Sequence, residues 1–254
     1  MNNIILSINN LMKIYHDRQG ETIAIENITL DVYDKEFISI VGPSGCGKSS
    51  LLSILSNLEK VSDGDIKSSK EELKYAYMLQ KDSLFPWLTI LDNCLIGLVI
   101  NNELNEDSRE YVVNLLHKYG LKDFMYKYPT ALSGGMRQRA ALIRTLAISP
   151  DILLLDEPMS ALDYQTRLAL SDELYKIIKE EGKTAIMVTH DLAEAISLSD
   201  RIVVLTKRPA TIKTIYDIEL TDKSTPIKNR NAKEFSYYYD KIWRDLDVHI
   251  KWWT

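Results

Sequence analysis

Apolar and polar residues follow strand periods near the start of the chain and a helical period after residue 47. Strand-like alternation covers residues 4–8 and 22–32, and the mostly apolar run at 37–41 predicts a buried strand. Leucines and isoleucines recur at helical spacing over residues 47–58, and residues 74–79 return to strand alternation. Strands that alternate with helices in this way indicate an α/β fold built on a parallel sheet.

The strand pattern stops near residue 86, and helical patterns continue from there to residue 147. Asp107 or Ser108 is expected to cap a helix that ends at Gly120. Strands are then predicted at 152–155, 184–188 and 201–205, with a helix from about residue 165 to Gly182 between the first two. We therefore predict that a helical subdomain, residues 86–147, is inserted into the sheet-forming part of the chain.

The last forty residues differ from the rest, so we divide the chain into a main domain, residues 1–210, and an extension, residues 211–254. The extension is predicted to hold a strand and an amphipathic helix, whose aromatic stripe is expected to pack on the chain's own core or on a dimer mate. The residues of that stripe recur at steps of three and four: Phe235, Tyr239, Ile242, Leu246, Ile250 and Trp253.

Composition restricts the classes of function. The net charge of -5 and the pI near 5.5 argue against nucleic acid as the main partner, which would favour a basic face. With two cysteines and no leader-like start, the chain is expected to be cytoplasmic. The most apolar stretch, residues 88–100, contains Asp92 and Asn93 and is shorter than the ~20 residues of a membrane span. A membrane role would therefore require a partner.

The sequence G-P-S-G-C-G-K-S at residues 42–49 fits the phosphate-binding pattern G-x-x-x-x-G-K-[ST], between an apolar strand and a helix. Its glycines let backbone N–H groups surround an anion, Lys48 supplies a charge for the β- and γ-phosphates, and the Ser49 hydroxyl suits Mg²⁺. Cys46 is interpreted as a tolerated small residue. The nucleotide-binding residues predicted in this loop are Gly42, Pro43, Ser44, Gly45, Cys46, Gly47, Lys48, Ser49 and Ser50.

Two carboxylates, Asp156 and Glu157, end the apolar run at residues 152–155, which predicts a strand buried on both faces. In an open α/β sheet, ligands bind at the carboxyl ends of the strands. Asp156 is therefore expected to hold Mg²⁺ and Glu157 to face the attacking water.

The segment L-S-G-G-M-R-Q-R at residues 132–139 separates this chain from other phosphate-loop proteins. Ser133, Gly134 and Gly135 at a helix start offer a hydroxyl, backbone N–H groups and a helix dipole, which together make a second phosphate site. The segment closely resembles the signature of the ABC ATPases, and the resemblance extends from about residue 4 to residue 205. It implies a RecA-like P-loop NTPase fold with an antiparallel N-terminal β subdomain and an inserted helical signature subdomain.

The resemblance also implies roles for individual residues. Tyr15 matches the aromatic residue that stacks on adenine, Gln80 matches the glutamine that senses Mg²⁺ and water, and His190 matches the histidine that contacts the γ-phosphate. Residues 160–163 match a loop that crosses a dimer interface. The implied catalytic residues are Glu157, His190, Gln80 and Lys48, and the implied Mg²⁺ ligands are Ser49, Gln80 and Asp156. In the implied head-to-tail dimer, each ATP lies between one chain's phosphate loop and the other chain's signature.

The run L-F-P-W-L-T-I-L-D-N at residues 84–93 is similar to the ATPases of importers of nitrate, sulfonates, taurine and some vitamin precursors. Such a subunit would lie on the inner face of the membrane, dock on a separate permease and act indirectly with an extracytoplasmic solute-binding protein. Phe85, Pro86, Trp87 and Leu88 are the expected docking surface, and the alternative is that Trp87 fills the helical core.

Two other classes of function stay open at this point. A soluble ABC ATPase of translation or DNA repair usually fuses two cassettes or inserts a long coiled coil, and neither pattern occurs here. A P-loop kinase or GTPase has no use for the signature or for His190, and the guanine-reading Asn-Lys-x-Asp is absent from the sequence.

Overall fold

A three-stranded antiparallel sheet covers one side of the molecule. The computed structural model describes residues 3–17, 20–160 and 162–246. The sheet contains β1 (Ile4–Asp17), β2 (Gly20–Tyr33) and β4 (Asp63–Ser68), in the order β2-β1-β4. β1 extends well beyond the predicted strand at 4–8. β4 was not predicted, because its only large apolar residue is Ile66.

The second sheet is six-stranded and carries the predicted α/β core. Its strands are β3 (Phe37–Val41), β5 (Tyr75–Met78), β6 (Ile152–Asp156), β7 (Thr184–Val188), β8 (Arg201–Leu205) and β9 (Ile212–Asp217). Their order is β5-β6-β7-β3-β8-β9, and only the β8–β9 pair is antiparallel. The parallel core and the antiparallel N-terminal sheet confirm the predicted fold class.

Helices connect and cover the strands. They are α1 (Lys48–Leu55), α2 (Ile90–Ile100), α3 (Glu106–Lys118), α4 (Gly134–Ala147), α5 (Tyr164–Glu180), α6 (Leu192–Leu198), α7 (Pro226–Asn229) and α8 (Phe235–Asp245). Two 3-10 turns lie at Lys122–Phe124 and Pro129–Ala131. Between β5 and β6 the described chain forms only helices and turns, as its periodicity predicts. None of the helices within the described ranges has the length and apolar character that crossing a bilayer requires.

The start of α3 differs from the prediction. Asn105, with extended φ and ψ, caps the helix by accepting a hydrogen bond from the Ser108 N–H, and the Ser108 hydroxyl accepts one from the Asn105 N–H. The predicted caps, Asp107 and Ser108, are therefore wrong, because both lie in the first turn of the helix. There the negative charge of Asp107 interacts favourably with the helix dipole. The helix ends at Lys118, and Gly120 follows with φ of 73°.

The C-terminal extension closes one edge of the main sheet. β9 pairs with β8, and α8 packs on α6 through the fully buried Ile242. Phe235, Tyr239 and Leu246 pack around the same apolar cluster, so the aromatic stripe covers the chain's own core. Ile250 and Trp253 lie outside the described residues. The division of the chain at residue 210 stays a prediction.

Candidate nucleotide site

A cavity of about 690 Å³ opens beside the phosphate loop, a size suited to a small-molecule ligand. The loop lies between β3 and α1, and Glu157 and His190 follow the carboxyl ends of β6 and β7. The structure thus brings the P-loop, Gln80 and the two strand ends to one cavity. The residues that line it are Tyr15, Ala24, Ser44, Gly45, Gly47, Lys48, Ser49, Ser50, Gln80, Glu157, His190 and Arg208.

Two glycines give the phosphate loop its shape. Gly45 and Gly47 have φ of 70° and 129°, a region that residues with a Cβ rarely adopt. A Cβ on Gly47 would also lie 3.0 Å from the Ala24 carbonyl oxygen. Cys46 between them is fully buried in the core around the N-terminal sheet. Its thiol therefore packs inward, as expected for a tolerated small residue.

Lys48 is folded back into the loop. Its Nζ donates to the carbonyl oxygens of Gly42 and Pro43, at 2.8 and 3.0 Å, and the residue is buried. A buried ammonium group needs such partners because it has lost its water. The two carbonyls hold the charge next to the N-terminus of α1, where an anion would be attracted.

Asp156 is held by two hydroxyl groups. Ser49 Oγ donates to its Oδ1 at 3.3 Å, and the Tyr77 hydroxyl donates to its Oδ2 at 3.0 Å. Burial, together with the negative charge of Glu157, raises the pKa of Asp156 despite these hydrogen bonds. Tyr77 was not predicted as a site residue: strand alternation places it on β5 but does not reveal its contact with Asp156.

This carboxylate fits a metal cation. A desolvated Asp156 beside the Glu157 carboxylate would be stabilised by a positive charge, and a carboxylate with a hydroxyl is a ligand set that Mg²⁺ accepts. Within the described parts of the chain, no group of three or more His, Cys, Asp or Glu side chains is placed to hold a metal. Any Mg²⁺ would therefore take further ligands from hydroxyl, amide, water or phosphate oxygens.

Glu157 is contacted on both carboxylate oxygens. Gln80 Nε2 donates to Oε2 at 2.9 Å, and His190 Nδ1 lies 3.0 Å from Oε1. The backbone of Glu157 has φ of 45°, a conformation that costs on the order of 1 kcal/mol for a residue with a Cβ. Its N–H bonds to the Val188 carbonyl oxygen at 2.8 Å, which ties it to the end of β7. Strain of this kind clusters at functional sites.

Tyr15 forms one wall of the cavity. Its hydroxyl donates to Glu59 Oε2 at 2.6 Å and lies 2.9 Å from Ser50 Oγ. Lys13 Nζ lies 3.0 Å from the same Glu59 oxygen and 4.8 Å from the centre of the Tyr15 ring. Burial, then Glu59, raises the pKa of Tyr15. Lys13 and Glu59, neither of which was predicted, therefore fix the plane of the ring.

The signature residues are not brought to this cavity. Ser133 caps α4 by accepting a hydrogen bond from the Met136 N–H, and Gly134 and Gly135 form the first turn of the helix. In the part of the chain that the structure describes, none of the three lines the cavity beside the P-loop. Gly134 instead lines a separate cavity of about 320 Å³. The segment from Gln80 to Ser83, together with Arg137, Gln138 and Leu162, forms the rest of its wall.

The segment after Gln80 is fastened to the signature helix. Arg137 Nε lies 3.0 Å from Asp82 Oδ2, and Arg144 donates to the carbonyl oxygens of Asp82 and Ser83. A displacement of Gln80 would therefore be transmitted to α4 through these contacts.

The loop predicted to cross a dimer interface, residues 160–163, begins next to Glu157. Ser160 Oγ donates to the Glu157 carbonyl oxygen, and the Asp163 side chain accepts from the Thr166 N–H to cap α5. Ala161 lies outside the described residues.

A phosphate loop, a buried acidic strand end and a separate signature helix on one chain define an ABC-type ATPase. A family model described as ABC transporter matches residues 25–160. The chain belongs to the ABC transporter family of ATP-binding subunits, and it is an ATPase.

Relatives support the resemblance to importer ATPases. The chain is 43% identical over 249 residues to an uncharacterized ABC transporter ATP-binding protein, YtlC, of Bacillus subtilis, covering 95% of both proteins. It is 36% identical over 235 residues to the taurine import ATP-binding protein TauB of Jannaschia, covering 90% of this chain and 88% of that one. It is 39% identical over 228 residues to the nitrate import ATP-binding protein NrtC of Synechococcus elongatus, covering 87% of this chain and 34% of that one.

A solved structure agrees with the fold and with a cassette dimer. The post-hydrolysis dimer of the ATP-binding cassette MJ0796, bound to ADP and Pi, is 29% identical and superposes with a TM-score of 0.71. The match covers 84% of this chain and 99% of that one.

Proposed function

We propose that this chain is the energy-coupling subunit of an ABC importer, on the inner face of the membrane, and that it drives uptake of a small solute through a separate permease. The solute class is nitrate, a sulfonate, taurine or a vitamin precursor, delivered by an extracytoplasmic binding protein. The alternative is a soluble ABC ATPase with a role outside transport. The similarity to nitrate and taurine import ATP-binding proteins is the observation that most supports the importer.

An exposed aromatic pair adds support for a permease partner. Trp87 is 69% exposed and Phe85 is 37% exposed, with their ring centres 5.3 Å apart. The alternative that Trp87 fills the helical core is therefore wrong. The buried Asn93 holds this segment, because its side chain exchanges hydrogen bonds with the backbone of Phe85 and donates to the carbonyls of Leu88 and Thr89. A fixed and exposed Trp suits an interface anchor.

The ATPase chemistry is assigned to the residues around the cavity. Glu157 orients the attacking water and takes its proton, and Gln80 and His190 hold that carboxylate in place until the γ-phosphate arrives. Lys48 then leaves the loop carbonyls for the β- and γ-phosphates, and Tyr15 stacks on adenine. Ser49, Asp156 and Gln80 would hold Mg²⁺, which neutralises charge on the transferred group.

The second half of each site is assigned to another copy of the chain. Ser133, Gly134 and Gly135 present a capped helix start that lies away from the chain's own P-loop. A head-to-tail dimer places this N-terminus against the γ-phosphate of the opposite chain, so ATP favours closure and hydrolysis removes the link.

The importer proposal is tested in a strain that lacks this gene, complemented with tagged wild-type protein or with Lys48→Ala as an ATPase-deficient control. We expect the wild type to restore uptake of labelled taurine, nitrate or an aliphatic sulfonate and to co-purify with a detergent-solubilised membrane protein. The control should co-purify without restoring uptake. Normal uptake of all three in the deletion strain, with only ribosomes or DNA on the tagged protein, would support the alternative.

A further inference from the structure

Arg208 contacts the phosphate loop from outside the P-loop motif. It lies in the turn between β8 and β9, 163 residues along the chain from Gly45. Its Nη2 and Nε donate to the Gly45 carbonyl oxygen at 2.8 and 3.2 Å. The side chain also lines the nucleotide cavity, beside Gly45 and Lys48.

The contact falls on the most adaptable part of the loop. Gly45 and Gly47 carry positive φ, and glycines lose more backbone freedom on ordering than other residues. Lys48 already binds the carbonyls of Gly42 and Pro43, and the Cys46 N–H bonds to Pro43 at 3.2 Å. Arg208 therefore holds the loop at Gly45, beyond the two residues whose carbonyls Lys48 binds. A loop ordered before the nucleotide arrives has less entropy to lose on binding.

The charge of Arg208 faces the cavity without a carboxylate to neutralise it. Throughout residues 3–17, 20–160 and 162–246, the only hydrogen-bond or ion-pair partner of Arg208 is the Gly45 carbonyl oxygen. A polyphosphate that enters the cavity would meet this second positive charge as well as Lys48, and opposite charges at the mouth of a cleft favour binding.

We propose that Arg208 is a nucleotide-positioning residue: it holds the phosphate loop in the binding conformation through Gly45 and adds positive charge at the phosphate end of the cavity. It acts on binding rather than on the chemical step, because its contact is with the loop backbone and not with Glu157 or the water that Glu157 orients. We expect nucleotides with a β-phosphate to depend on Arg208 more than AMP does, because they carry more negative charge toward the P-loop.

The test compares Arg208→Ala, Arg208→Gln and Arg208→Lys with Lys207→Ala in the full chain. Lys207 is the matched control because it is also exposed, carries the same charge and precedes Arg208 directly, and the structure gives it no bond to the loop. The measurements are the affinities for ADP, a non-hydrolysable ATP analogue and AMP, the KM and kcat for ATP, and thermal unfolding without nucleotide.

We expect Arg208→Ala to weaken the binding of ADP and of the ATP analogue by about tenfold, and to raise the KM for ATP by the same factor. Loss of a charge-assisted hydrogen bond implies an effect of this size. We expect kcat at saturating ATP and the affinity for AMP to stay within about twofold of wild type. The unfolding temperature without nucleotide should stay within a few degrees of wild type. Arg208→Lys should recover part of the affinity and Arg208→Gln less, since only lysine keeps the charge.

Three results would overturn the proposal. One is wild-type affinity in Arg208→Ala. Another is an equal loss in Lys207→Ala, which would show an effect of net charge alone. The third is a fall in kcat with KM unchanged. If Arg208→Ala does not fold, the comparison of Arg208→Lys with Arg208→Gln decides, and equal affinities in those two would contradict the role of the charge.

Discussion

His190 Nδ1 lies 3.0 Å from Glu157 Oε1, and the two residues come from the ends of neighbouring parallel strands. The backbone of Glu157 is left-handed, and Gln80 Nε2 donates to its other carboxylate oxygen. Both oxygens of the carboxylate are thus contacted, one by Gln80, which is assigned to sensing Mg²⁺ and water, and one by His190, which is assigned to the γ-phosphate. We expect ATP binding to separate these contacts before Glu157 can activate water.

Replacing Glu157 with Gln should slow hydrolysis by at least ~10²-fold and leave ATP binding intact, because the amide keeps the shape but cannot take a proton. The variant should accumulate as an ATP-bound dimer on size-exclusion chromatography with ATP and Mg²⁺. Wild-type protein in ADP serves as the monomer control. Near-normal turnover in Glu157→Gln would refute its assignment as the base.

Mixing Lys48→Ala chains with Ser133→Arg chains tests the head-to-tail arrangement. Such a mixed dimer has one site with both defects and one site with neither, and Ser133 is exposed, so the arginine should be accommodated in the fold. We expect each variant alone to trap no ATP and the mixture to trap about one nucleotide per mixed dimer. Mixed dimers that hold none, while wild type holds ATP, would contradict the arrangement.

Substituting Trp87 with Ala should leave the isolated ATPase folded and active but remove its retention on, and stimulation by, a reconstituted permease. The reason is that Trp87 exposes most of its surface and makes its ring contact with Phe85 only at the surface. Tyr237→Ala is the control, since Tyr237 is an exposed aromatic residue on α8, far along the chain from Gln80. A Trp87→Ala protein that couples normally would move the docking surface elsewhere.

Glu194 should make stability depend on pH. Burial raises the pKa of this carboxyl to about 7, and Thr189 donates to one of its oxygens while the other has no hydrogen-bond partner within the described chain. Arg167 and Arg230 favour its charged form and Asp191 disfavours it. Because the folded protein holds the proton more tightly than the unfolded chain, stability falls as the pH rises from about 4.5 to about 7.

Glu194→Gln removes this titration and should therefore stabilise the protein more at pH 8 than at pH 5. The difference in unfolding free energy between the two pH values is expected to be on the order of 1 to 3 kcal/mol. Urea unfolding at both pH values measures it. Glu110→Gln, at an exposed position on α3, is the matched control. A Glu194→Gln effect that does not change with pH would show that the carboxylate is already charged in the folded state.

Several features were accessible to sequence reasoning because they depend on short segments. The P-loop glycines, the apolar strand that ends in Asp156 and the Ser-Gly-Gly helix start each carry their chemistry within about eight residues. Strands β3, β7 and β8 have the bounds that their apolar runs predict. The prediction failed for β4, where a single large apolar residue gives a weak strand pattern. It also failed at the start of α3, where several neighbouring polar residues could cap the helix and Asn105 does so.

The sequence by itself thus determined the class of fold and located the P-loop and the two acidic residues at the end of β6, since each follows from local periodicity and local backbone chemistry. Only the tertiary structure decided which side chains meet. Arg208 reaches Gly45 across 163 residues, Tyr77 reaches Asp156 across 79, and Trp87 is left exposed by the packing around Asn93. The physical reason is that such contacts depend on strand order and side-chain direction, which no window of adjacent residues encodes.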